Sequence, residues 1–241
     1  MDLDRYVVGF RENGERILEL ADGDLDAAVP PCPGWSLADL VDHVSRVYSM
    51  VAHALETGQK PDTIPDRPDD VGVAEWFTDR FERVTDLFAS VEPAAPVWNW
   101  SVLGQEASSW FRRTAQETAV HRWDAESATD SCTPIEAELA ADGIDEWFDV
   151  HVRTDATMPE LSEGNASGSL HVHCNDTDGE WWAVLTDRVL ELEREHKKGD
   201  AVIRGGASDI LLALWGRVPL SDVEVLGDPA VVASWLSVPD I

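Results

Sequence analysis

Apolar positions recur at spacings of three and four through the first half of the chain, marking amphipathic helices at residues 3–20, 36–55, 73–90 and 105–125. Four such helices are the complement of a bundle. The connecting segments 21–35, 57–72 and 91–104 are rich in Pro, Gly and Asp and carry no helical period. The second helix has the clearest start. Pro33-Gly34 forces a turn, Ser36 accepts hydrogen bonds from the first free amides, and Asp39 reaches back as its capping partner. That register places His43 on the apolar stripe marked by Leu40, Val44 and Val47.

A fifth helical stretch, 135–152, follows, and the pattern then changes in kind. From Gly168 the chain alternates as SLHVHC, turns through 175–179, and resumes as EWWAVLTD, a hairpin whose turn is marked by Asp178-Gly179. An acidic run at 189–196 reads as helical, 200–204 as a strand, 207–215 as a helix, VEVLGD as a strand and 229–236 as a short helix. The fold class is therefore α+β in two domains, a helical bundle over 1–157 and a small α+β unit over 158–241. Pro159 and Gly164 mark the boundary at 158–164.

With 241 residues, 44% of them apolar, the chain has material for a genuine core. The first twenty residues carry charge throughout and match neither a secretory signal nor a spanning segment, so the expected location is cytoplasmic. The 47 acidic residues against 18 basic ones leave a net charge of −29, which repels phosphate backbones and anionic membranes. Nucleic acid and membrane are thus excluded as expected partners. Three scattered cysteines without CxxC spacing argue against a disulfide framework or a thiolate zinc site, and each reads as a small apolar filler.

The candidate chemistry lies in the fourth helix. Glu117 and His121 stand four residues apart and project from one face, and Trp110 and Thr114 place that face toward the core. If the second helix packs against it, His43 completes a set of two imidazoles and one carboxylate. Such a set suits a divalent cation with one coordination position open. A buried carboxylate is equally well satisfied by a guanidinium, and Arg112, Arg113 and Arg122 are all within reach on the same helix. Both readings stand on the residues alone. Asp124, three residues past His121, is placed either to orient that imidazole or to face solvent.

The stretches PCPGWSLADLVDHV and RRTAQETAVHRWDAE resemble the two ligand segments of the mycothiol-dependent maleylpyruvate isomerase family. LHVHCNDTDGEWWAVL, RGGASDILLALWGRVPL and VLGDPAVVASWL resemble that family's C-terminal domain, in the same order. The resemblance implies a DinB/YfiT-like four-helix bundle followed by a small α+β domain. It implies a divalent metal, usually zinc, on His43, Glu117 and His121, with mycothiol as thiol cosubstrate. The implied activity is cis-trans isomerisation of a maleylpyruvate-like substrate, or transfer of the thiol to an electrophile, by a monomer or homodimer. A binding protein that senses a metal or small ligand on the same fold is the alternative from another class.

Arg217, in LWGR, is the expected catalytic and cosubstrate-binding residue, since a guanidinium grips a carboxylate with two bonds; a plain ion pair is its rival. His171 and His173 share one strand face but show no third ligand in sequence, and a strand surface accounts for them. Asp176-Thr177-Asp178-Gly179 lacks the later acidic ligand of a calcium loop and reads as the hairpin turn. Cys32 and Cys174 have no basic neighbour placed to activate them, and Trp181, Trp182 and Trp215 read as filling residues.

Overall fold

The computed structural model describes residues 1–101, 104–154 and 166–239, which form two compact units, Met1–Trp100 with Gly104–Ile135, and the chain from Glu136 onward. Four helices build the first unit: α1 (Leu3–Ala21), α2 (Leu37–Thr57), α3 (Val73–Ser90) and α4 (Ala107–Ser127). The pattern of apolar positions locates each to within a few residues. Helix α1 packs chiefly on α4, and α2 on α3 and α4. The interior is aromatic: Phe10 meets Tyr48, Phe81 and Phe88, and Phe88 stacks on Phe111 at 4.2 Å between ring centroids. Close approach of α1 to α3 depends on Gly14, because a methyl group there would lie 2.3 Å from the Phe81 ring.

A buried polar network links α1, α4 and the segment after α4. Arg122 donates to Glu126 at 2.6 Å, to Asn13 at 2.9 Å and to both oxygens of Thr133 at 2.7 Å, while Arg16 reaches the other Glu126 oxygen at 3.0 Å. Arg122 is thereby committed to Glu126, so it does not serve the Glu117 carboxylate as the sequence allowed.

The second unit opens with α5 (Ala137–Glu146), which runs on into a π-helical turn, Trp147–Val152. A five-stranded sheet follows in the order β3-β2-β1-β4-β5, with β1 (Ser169–Cys174), β2 (Glu180–Thr186), β3 (Val189–Glu193), β4 (Ala201–Gly205) and β5 (Glu224–Gly227). Strands β1 and β4 run parallel, and the other neighbours are antiparallel. Helices α6 (Ala207–Leu214) and α7 (Pro229–Leu236) contact β4, α7 also touches β1, and α5 packs on α6. Leu170, Val172, Trp181, Ala183, Ala201 and Ile203 form the buried side of the sheet.

Two expectations change. Residues 189–193 form an edge strand rather than a helix, because Asp187 and Arg188 both adopt positive φ, 49° and 65°, and make the two-residue hairpin turn that returns the chain along β2. The alternation of VLELE, in which Leu190 is buried between exposed neighbours, is a strand period hidden under acidic residues of good helix propensity. The second difference concerns α5, expected at the end of the bundle domain. It packs on α6, so the compact units divide between Ile135 and Glu136 rather than after residue 157. The proposed boundary stretch, 158–164, lies outside the described residues.

The capping box of α2 forms as the sequence implies. Ser36 Oγ accepts from the Asp39 amide at 3.2 Å, and Asp39 accepts from the Ser36 amide at 2.9 Å and from its hydroxyl at 2.6 Å. Replacing Ser36 with Ala should lower stability by about 1 kcal/mol, read as a shift of the urea midpoint at constant slope.

Candidate metal centre

Helices α2 and α4 meet with His43 facing Glu117 and His121. The one-turn spacing on α4 sets His121 Nε2 3.1 Å from Glu117 Oε1, and His43 Nε2 approaches the same oxygen from α2 at 3.5 Å. The three donor atoms all lie within 4.8 Å of one another. The second carboxylate oxygen is used differently: Glu117 Oε2 accepts from Arg113 Nη2 at 3.0 Å. Both candidate partners, guanidinium and imidazole, therefore meet on one side chain. A guanidinium holds one oxygen, and the other is turned toward two imidazoles.

Behind His121 lies Asp124, which is fully buried and meets the imidazole Nδ1 at 2.9 Å. An Nδ1–H donated to this carboxylate leaves Nε2 of the neutral ring as a lone pair facing Glu117 and His43. The Cys32 thiol, 3.7 Å from the same Asp124 oxygen, reaches it from the turn before α2. By sequence alone Cys32 is a small apolar filler. Its role as a donor to Asp124 is visible only once residue 32 is folded against α4. Of the other cysteines, Cys174 is buried, where burial first and then Asp176 and Glu180 push its thiol up to about 12, and Cys132 is exposed.

His43 departs from expectation in degree. Its side chain is 38% exposed, at the margin of the α2 stripe, because the buried row runs through Leu37, Leu40, Val41, Val44 and Tyr48 while Val47 is only half-buried. The ring rests between Trp35, 5.0 Å away, and His121, 5.1 Å away. This margin leaves part of the His43 ring open to solvent.

Electrostatics bind the cluster together. Burial works against the Glu117 carboxylate. The charge of His121, hydrogen bonds with His121 and His43, and the charge of Arg113 outweigh it and hold the group well below the ordinary carboxylate range. Burial likewise works against protonated His121, yet the Glu117 charge, hydrogen bonds with Asp124 and Glu117, and the Asp124 charge raise it to about 9. Metal-free, the cluster is an imidazolium clasped between two carboxylates. The donor set, two imidazole nitrogens and one carboxylate oxygen with an orienting carboxylate behind, fits a borderline divalent cation such as zinc.

Two family models match the chain, the mycothiol maleylpyruvate isomerase N-terminal domain over residues 10–126 and the C-terminal domain of the same family over residues 138–234. The chain belongs to the mycothiol-dependent maleylpyruvate isomerase family. Among solved structures it is similar to the mycothiol-dependent maleylpyruvate isomerase, with a TM-score of 0.57 and 14% identity over 93% of both chains. A mutant of that isomerase gives a TM-score of 0.58 and 13% identity, again over 93% of each chain. A search of curated protein sequences finds no match. In this family member the Glu117-His121 pair lies within the first matched domain. Arg217 lies within the second, just past α6, where its Nη1 donates to the Trp215 carbonyl at 2.9 Å. Among the described residues no helix is long and apolar enough to cross a membrane.

Two outcomes are expected. D124N should weaken zinc binding by roughly ten- to hundredfold, as measured against a chromophoric chelator, since it removes the carboxylate that orients His121. At pH 7 zinc binding should release protons, because His121 is protonated below about pH 9 in the metal-free cluster. Calorimetry in buffers of differing ionisation enthalpy reads the number released. The sign of the stability effect follows from the raised pKa: the metal-free protein gains from His121 below about pH 6.5, its ordinary value, and loses that gain as pH climbs through about 9.

Proposed function

We propose that this protein is a mycothiol-dependent isomerase that activates the thiol at a divalent metal, most simply zinc, held by His43, Glu117 and His121. The observation that carries the reading is the convergence of two imidazole Nε2 atoms on a single carboxylate oxygen whose partner oxygen is already engaged by Arg113. Family membership supplies the thiol and the reaction class. A divalent cation bound there would supply Lewis acidity, stabilising a thiolate over a thiol near neutral pH.

The protein's own groups have distinct tasks. Asp124 keeps the proton of His121 on Nδ1 and so keeps Nε2 available. Arg113 fixes the rotation of the Glu117 carboxylate, leaving Oε1 directed at the imidazoles. Trp35 walls one side of His43 while the exposed margin of that ring admits the cosubstrate. The chemistry such a site supports is addition of thiolate to the cis double bond of an enol-dicarboxylate. A C–S bond forms and the electron pair moves onto the conjugated carbonyl. Rotation about the bond that has become single, followed by cleavage of the C–S bond, returns the thiolate and the trans product, with no net oxidation. An electrophile carrying a leaving group would instead retain the sulfur, which is S-transfer on the same site. Arg217 is assigned the substrate or cosubstrate carboxylate.

The assay is conversion of maleylpyruvate to its trans isomer by zinc-loaded protein with and without mycothiol. Activity should require both, and H43A, E117Q and H121A should each lower kcat/KM by at least about a thousandfold, on the order of 4 kcal/mol of transition-state stabilisation. Arg217→Met should act mainly on KM. Consumption of mycothiol in step with product would reassign the reaction to S-transfer, and turnover without metal or thiol would refute the proposal.

A further inference from the structure

The sheet of the second unit carries a cluster that the isomerase reading does not use. On β1, His171 and His173 alternate onto the side of the sheet opposite the buried one. On β2, Glu180 pairs directly with His173 across the antiparallel register and stands diagonal to His171. Glu180 Oε2 meets His171 Nε2 at 2.5 Å, and Oε1 meets His173 Nδ1 at 2.5 Å. His196, from the segment after β3, brings Nδ1 to 3.2 and 3.3 Å from the two oxygens. Three of the chain's seven histidines thus converge on one carboxylate.

We infer that His171, His173, Glu180 and His196 form a second metal site, closed by four protein ligands and selective for a borderline divalent cation of the zinc class. The four donor atoms lie within 4.8 Å of one another. Three imidazoles and one carboxylate match zinc, nickel or copper and disfavour magnesium and calcium, which require oxygen. Four protein ligands complete a tetrahedral shell, so this site is structural, in contrast to the three-ligand cluster of the bundle.

Independent contacts hold the fourth ligand in position. On one side of His196, Arg194 Nε donates to Asp145 at 2.7 Å and its Nη2 pairs with Asp149. On the other, Lys197 lies 3.3 Å over the centroid of Trp182 and pairs with Glu193 at 2.9 Å. The intervening segment is therefore pinned across the strand face, and the His196 ring stands edge-on to His171 at 4.9 Å. His171 is 4% exposed although it faces away from the helices. Burial works against the Glu180 carboxylate, but the hydrogen bonds from His171, His173 and His196 prevail and bring it down to about 2. A cation here would fasten the segment carrying His196 to β1 and β2 and stabilise the second unit.

The test uses the full chain, free of any histidine tag and stripped by chelation, with Zn2+ as the probe. The H43A/H121A variant should retain one tight zinc by equilibrium dialysis, and adding H173A and H196A should abolish it. H196A alone, at a side chain that is 78% exposed, should weaken this site by more than the roughly ten- to hundredfold typical of outer-sphere changes. Should H43A/H121A fold poorly by circular dichroism, E117Q replaces it. Cobalt in the same background should give the intense visible absorption of a tetrahedral site. Absence of tight zinc in the folded first variant, zinc that survives H173A/H196A, or a weak octahedral cobalt spectrum would each overturn the assignment. So would a cluster that responds to pH but not to zinc.

Discussion

A carboxylate inside a helical bundle has to be neutralised, and Glu117 is neutralised from two directions at once. Arg113, one turn earlier on the same helix, holds Oε2, while the imidazoles of His121 and His43 face Oε1. This division of one side chain sets the rest of the site. Were both oxygens turned to the guanidinium, no donor would remain between the two rings. Were neither held, the carboxylate could rotate away from them. The aromatic packing of α1, α2 and α3 and the capping of α2 by Ser36 help fix the axial position at which His43 meets α4.

The two clusters of the chain gather similar donors differently. In the bundle, three donors come from two helices and His43 stays half-exposed, the arrangement an open catalytic site would need. On the sheet, four donors come from two strands and a pinned segment and lie within 4.8 Å of one another, the arrangement a closed structural site would need. Each belongs to its own compact unit, so each can be altered with the other left as an internal control.

Much of this was legible in the sequence, for physical reasons that can be named. Helical registers need only local periodicity, and Glu117, His121 and Asp124 fall within two turns of one helix, so their mutual reach follows from helix geometry alone. The choice among three arginines did not. Arg113 and Arg122 differ by the face they occupy relative to Glu126 and Thr133, which depends on how residues 128–135 fold back. The exposure of His43 does not follow from the apolar stripe, because Val47 sits at the edge of the buried row rather than within it. The strand alternation puts His171 and His173 on one face, but Glu180 joins them through strand register and His196 through the segment that follows the edge strand. Such non-local partners leave no spacing signature in one sequence.

The most direct measurement is a crystal structure of the zinc-soaked protein with anomalous data collected on both sides of the zinc absorption edge. A peak is expected bounded by His43 Nε2, His121 Nε2 and Glu117 Oε1, with Asp124 still on His121 Nδ1 and Arg113 still on Glu117 Oε2. A zinc-bearing crystal in which no peak falls among these three atoms, with Glu117 satisfied by Arg113 and the imidazoles alone, would contradict it.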